Sequence, residues 1–203
     1  MTEAIIQSGF ARVAAGEWLA GKAQPVAFGG VVNTSGLKGF VVPDRGAVKV
    51  VRAREGMLCA DAEAPFLTRL TALPDQSLMV VSSKVLVAPL ESRTGARRVK
   101  LVPFSWNSAV TVTEFRMGWV VMATRSRTVQ VTLAEGEVLT VRKESVVAWS
   151  GEDPRGYCPK IGILDLLLPR APGNLAFTFR GPSSVWIEGA IEESRFKFRP
   201  RAI

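Results

Sequence analysis

The chain reads as an all-β protein, a β-sandwich or β-roll of two related halves, and three observations predict it. Apolar and polar residues alternate at period two in many short runs, the pattern of half-buried strands. Gly, Pro, Asp and Asn interrupt those runs at short intervals. Long helical periodicity is absent. A chain of 203 residues with a 47% hydrophobic share has enough apolar material for a sizeable core, and 22% charged residues is an ordinary share for a globular protein.

The clearest strands are Ala47–Ala53 (AVKVVRA), Ser77–Leu90 (SLMVVSSKVLVAPL), Ser108–Phe115 (SAVTVTEF) and Thr128–Leu133 (TVQVTL). Val, Thr and aromatic residues supply their β-propensity. Turn chemistry stands at Pro43-Asp44-Arg45-Gly46, Pro74-Asp75, Thr94-Gly95, Gly151-Glu152-Asp153-Pro154 and Gly181-Pro182. Two segments, Pro65–Pro74 and Lys160–Pro169, read as one or two helical turns each.

Sliding the sequence by 90 positions lays Val41–Asp61 on Val131–Gly151. Val41 meets Val131, Gly46 meets Gly136, Val48 meets Val138, and Val51-Arg52 meet Val141-Arg142. This register predicts one domain, residues 1–203, with repeated halves over about 30–105 and 106–190. Gly46, Gly136, Gly181 and Pro182 are then structural turn residues.

Composition narrows the chemistry. Histidine is absent, so Ser-His-Asp and Cys-His mechanisms and His-built zinc sites are excluded. Cys59 and Cys158 are the two cysteines, and they form no CxxC pair; two reduced, buried thiols are expected. Gly16–Ala23 (GEWLAGKA) approaches a phosphate-binding loop, but Ala23 stands where a Ser or Thr hydroxyl should hold Mg²⁺. Ser194 and Lys197 have the spacing of a serine–lysine pair, yet strand alternation turns them to opposite sides. Glu135, Glu137, Glu152, Asp153, Glu192 and Glu193 fall mostly in turns, and no acid–base couple stands out. The expectation is a non-catalytic protein without metal or cofactor.

The formal net charge of +8 favours anionic partners. Its sharpest expression is the C-terminal SRFKFRPRAI, where Arg195, Lys197, Arg199 and Arg201 alternate with Phe196, Phe198 and Pro200. On a strand these four cations form a candidate nucleic-acid-binding stripe. The alternative is an edge strand whose charges deter aggregation. Arg97-Arg98-Lys100 and Arg125-Arg127 are lesser clusters. Trp18, Trp106, Trp119, Trp149 and Trp186 could stack bases or line a ligand pocket; in β proteins such indoles more often close the core or sit at subunit contacts. The N-terminus has no basic, apolar signal pattern, and no run approaches a membrane-spanning length. A cytoplasmic protein without a transmembrane segment is expected.

The second half resembles the altered-inheritance-of-mitochondria (mitochondrial biogenesis) family. Gly136-Glu137, Val141 and Val147-Ala148-Trp149 carry one motif of that family. Gly181-Pro182 and Val185-Trp186 carry a second, with Ser183 in place of its usual Gly. Gly56-Met57 is similar to a third. The resemblance spans Val41 to Gly189. It implies a fold like that of the tryptophan RNA-binding attenuation protein, and homotrimers, with no established enzyme activity. The expected role is a scaffold or interaction protein with an unknown protein partner. Nucleic-acid binding through the C-terminal stripe is the alternative, and small-ligand binding the third reading.

Overall fold

A computed structural model of the chain describes residues 4–7, 9–21, 26–28, 48–100, 109–157 and 176–189. The protein is all-β, and every strand pair in these residues is antiparallel. Helical segments among the described residues are 3₁₀ turns of three residues.

The strands fall into three successive units. The first holds β1 (Ala4–Gln7), β2 (Phe10–Ala20), β3 (Val26–Phe28) and β4 (Lys49–Cys59). The middle unit holds β5 (Phe66–Thr71), β6 (Leu78–Val81), β7 (Val85–Pro89), β8 (Arg93–Lys100), β9 (Ala109–Phe115) and β10 (Trp119–Thr124). The last holds β11 (Thr128–Leu133), β12 (Val138–Arg142), β13 (Val146–Ser150), β14 (Arg155–Tyr157), β15 (Ala176–Arg180) and β16 (Ser183–Glu188).

Three sheets knit the units together. Sheet I runs β3-β4-β2-β7-β10-β5, with β1 also paired to β2; sheet II runs β11-β16-β13-β6-β9-β8; sheet III is β12-β15-β14. The middle and last units therefore share one pattern. In each, the first, third and sixth strands join one sheet, and the second, fourth and fifth join the next. A 3₁₀ turn, Ser82–Lys84 in one unit and Lys143–Ser145 in the other, carries the chain across.

This is a repeat of two related units at a register other than the expected one. Adding 61 to a residue number carries Leu70 onto Val131, Leu78 onto Leu139 and Val85 onto Val146. After β9 the offset becomes 64, carrying Phe115 onto Phe179. The boundary expected at 105/106 separates β8 from β9, which pair with each other. At the 90-position register, continuous β4 would lie on the interrupted β12–3₁₀–β13, and their pairing partners differ. Gly46 lies outside the described residues, so its match to Gly136 does too. Phe66–Thr71, expected as helical turns, is strand β5, whose partner β10 takes up its backbone. Lys160–Pro169 lies outside the described residues.

Each unit owns a core. Trp18, Val51, Met57 and Cys59 of the first unit pack with Leu86, Val87, Trp119 and Val121 of the middle one. All of these lie on sheet I, so that sheet curls around its own apolar face. Leu70, Leu78, Val80, Val85, Phe115, Val120 and Met122 form the middle core, joined by Leu19, Val147 and Ala148 from the units on either side. Leu139, Val141, Trp149, Phe177, Phe179, Val185 and Ile187 form the last core, joined by Met79, Val99, Val110 and Val112 of the middle unit. Alternation along β6 sends Leu78 and Val80 to the middle core and Met79 and Val81 to the last, and this is how one strand serves two units.

Candidate functional site

The four cations of the expected C-terminal stripe, Arg195, Lys197, Arg199 and Arg201, lie outside the described residues, as do Ser194, Glu192, Glu193, Trp106 and Cys158. The approximate phosphate loop is not a loop at its start, since Gly16 sits within strand β2 at a register shift against β4. Its Lys22 and Ala23 lie outside the described residues. Gly136 tips the β11–β12 turn with φ +83° and open space on its Cβ side. Gly181 is confined: a Cβ there would stand 1.7 Å from the Ala134 carbonyl oxygen, and its N–H donates to the Glu137 carbonyl oxygen at 3.0 Å. Glu137 in turn accepts from the Ala134 N–H at 2.7 Å, which ties the two turns together. Among the described residues, no group of three acidic or thiol side chains is placed to hold a metal.

The four described tryptophans serve the cores. Trp18 and Trp119 are buried with centroids 5.7 Å apart, the Trp18 Nε1–H donates to the Ala14 carbonyl at 3.1 Å, and the Arg69 guanidinium lies 5.2 Å over the Trp119 ring. Trp149 packs against Phe177 and Phe179, each centroid 5.9 Å away. Trp186 is half-buried beside the middle core. Cys59 is buried and free, and burial pushes its thiol up to about 12 because the thiolate would be poorly solvated. It stays protonated and weakly nucleophilic near neutral pH. At the junction of the middle and last units, Lys84 pairs with Glu188, whose other oxygen accepts the Arg125 N–H at 3.0 Å. Glu114 accepts from the Ser77 hydroxyl at 2.9 Å and from Arg116 at 3.1 Å. These carboxylates are engaged in structural pairs.

A cationic surface that the linear sequence does not display emerges from the register of sheet III. Val138 lies opposite Arg180; Thr140 lies opposite Thr178, which lies opposite Arg155; Arg142 lies opposite Ala176. Directly opposed residues share a face. Arg142, Arg155 and Arg180 therefore stand on one side of the sheet, and all three are exposed. Thirteen and 25 positions separate them in the chain, so only strand pairing gathers them. No Asp or Glu occupies a strand position on that face; Glu137, Glu144 and Asp153 flank it in the turns.

The equivalent face of the middle unit is different. There Met79, Val81, Val99, Val110 and Val112 pack into the core of the last unit. Thr140 stands where Met79 would, Arg142 where Val81 would and Ala176 where Val112 would. One face receives the next unit; the other exposes Val138, Thr140 and the three arginines, with Thr178 half-buried and Ala176 buried.

No protein-family model and no curated protein matches this chain. Among solved structures, the chain is similar to an X-ray structure of a Streptococcus pyogenes protein from a structural genomics programme, whose name states no function. The two share 15% sequence identity over 93% of each chain, with a TM-score of 0.62, which shows a common fold.

Proposed function

We propose that the protein is a non-catalytic scaffold or interaction module that assembles with copies of itself. One observation carries this reading. Ile5, Phe10 and Phe66 are large apolar side chains with 53%, 44% and 41% of their surface exposed. The β1–β2 turn brings them into one region, because Gly9 approaches the Pro65 carbonyl. Ile5 and Phe10 share a face, through the Ile5–Arg12 and Gln7–Phe10 pairings. Phe66 opens β5, which ends sheet I.

Fully burying side chains of this kind is worth about 1.5–3 kcal/mol each. Clustered exposure at a sheet margin is the usual mark of a contact surface, and subunit contact also shields a free strand edge. The homotrimer implied by the family resemblance is the assembly this reading favours.

Size-exclusion chromatography with light scattering tests it. The expected mass at micromolar concentration is three times the 21.9 kDa of the chain. Phe10→Ser with Phe66→Ser should return the protein to its monomer mass with its β circular dichroism intact. A monomeric unsubstituted protein would overturn the reading.

A further inference from the structure

We infer that the outer face of β12, β15 and β14 docks the phosphodiester backbone of single-stranded nucleic acid, with Arg142, Arg155 and Arg180 as its phosphate contacts. This goes beyond self-association and stands without it, since the apolar corner lies on β1, β2 and β5 and the arginine face lies on the last unit.

The first argument is the contrast between units. An outer face left exposed needs polar side chains for solubility, and neutral or mixed ones would supply that. Here each charged residue at a strand position on the face is arginine. Like charges gathered on a sheet repel one another, so an unneutralised set costs stability. An anion relieves that cost.

The second argument is geometry. Strand spacing and rise put the Arg180 and Arg155 Cα atoms about 8 Å apart, and Arg155 and Arg142 about 12 Å apart. Long side chains let the three guanidiniums adjust around those spacings. A flexible single strand can lay successive phosphates along them, whereas a rigid duplex touches a near-flat face along a narrow line. Thr140 and Thr178, whose hydroxyls are 3.3 Å apart, add short polar groups between the cations. All three cations are arginines, whose planar fork pairs with phosphate oxygens in bidentate fashion.

The third argument separates nucleic acid from other polyanions. An acidic protein partner would need a buried apolar anchor, and this face offers exposed Val138 alone among large apolar residues of described burial. A membrane surface calls for clusters of about 4–8 basic residues or an inserting apolar face. A phosphate backbone needs neither.

Fluorescence anisotropy with a labelled oligouridylate of about 20 nucleotides tests the proposal, using the full chain over a salt series. Dissociation constants in the range of about 10⁻⁴ to 10⁻⁶ M are expected, as for sequence-independent binding. Three neutralised phosphates on a single strand give a log–log salt slope of about −2, a roughly 20-fold loss of affinity for a fourfold rise in salt. Arg142→Gln, Arg155→Gln and Arg180→Gln together should make the slope shallower by about 2, with a melting temperature no lower than that of the parent protein because the repulsion among the three cations is removed. Arg52→Gln with Arg54→Gln, on exposed β4 positions, should leave that slope in place. No binding at about 50 mM salt would overturn the proposal, as would binding that the triple variant leaves unaltered. Phosphatidylserine vesicles that bind through the same three arginines, with no oligonucleotide binding, would overturn it in favour of a membrane surface.

Discussion

The middle unit, residues 66–124, and the last unit, residues 128–188, pair their strands in the same order yet fill their cores differently. Ala88 and Thr113 of the middle unit correspond to Trp149 and Phe177 of the last. In the middle unit Thr113 is buried against Ser82, with hydroxyl oxygens 2.9 Å apart, and Leu19, Val147 and Ala148 from neighbouring units supply bulk. In the last unit Trp149, Phe177 and Phe179 fill the space from within, while Met79 and three valines of the middle unit close one side. The same strand pairing thus accommodates a core filled from within and one filled by neighbouring units.

The outer faces diverge more sharply than the cores. Met79, Val81 and Val112 become Thr140, Arg142 and Ala176, and of these Thr140 and Arg142 are exposed while Ala176 stays buried. Identical strand pairing thus supports a face packed on another unit in one place and a face with exposed cations in the other. Side-chain chemistry on one face decides between them.

The largest effect expected from breaking the core comparison is Trp149→Ala. It removes the side chain at the centre of the aromatic cluster, and the indole Nε1 has no hydrogen-bond partner among the described residues, so the loss is one of packing. A destabilisation of about 3–5 kcal/mol by urea unfolding is expected. Ala88→Gly at the counterpart position should cost about 1 kcal/mol, mostly through backbone entropy. Equal effects at the two positions would refute the division of labour.

Two glycines in the last unit sharpen the same logic at smaller scale. Gly181→Ala drives a Cβ into the Ala134 carbonyl and should cost about 3 kcal/mol or more. Gly136→Ala has room for its methyl but keeps φ near +83°, so about 1 kcal/mol is expected. A thermal-melt series on the two variants checks the order, and a Gly136 variant that melts lower than the Gly181 variant would contradict it.

Much of this fold was legible. The alternating run Thr128–Leu133 is strand β11, the described part of Ser108–Phe115 is β9, and that of Ala47–Ala53 falls in β4, which runs on to Cys59. Ser77–Leu90 read as one alternating run and is two strands in two different sheets. Period two is restored on both sides of the Ser82–Lys84 turn, which hides the crossing. The repeat register was missed because the offset changes from 61 to 64 along the unit, and an ungapped slide cannot follow it. The structure also shows why Phe66–Thr71 deceived: Leu67 and Leu70 are three apart, a helical spacing, while the pairing to β10 decides the outcome. The arginine face left no local signal, because strand register creates it.

The central claim is that corresponding faces of the two units play opposite parts, packed against a neighbouring unit in one and exposing its arginines in the other. Reciprocal exchange at one equivalent position tests it most directly, with unfolding free energies read from urea titrations. Val81→Arg should lower stability by about 3 kcal/mol or more, since it forces an unpaired charge against the last core. Arg142→Val should stay within about 0.5 kcal/mol of the parent protein. Losses of similar size in both variants would show that the sheet III face is as buried as its counterpart, and the account would fail.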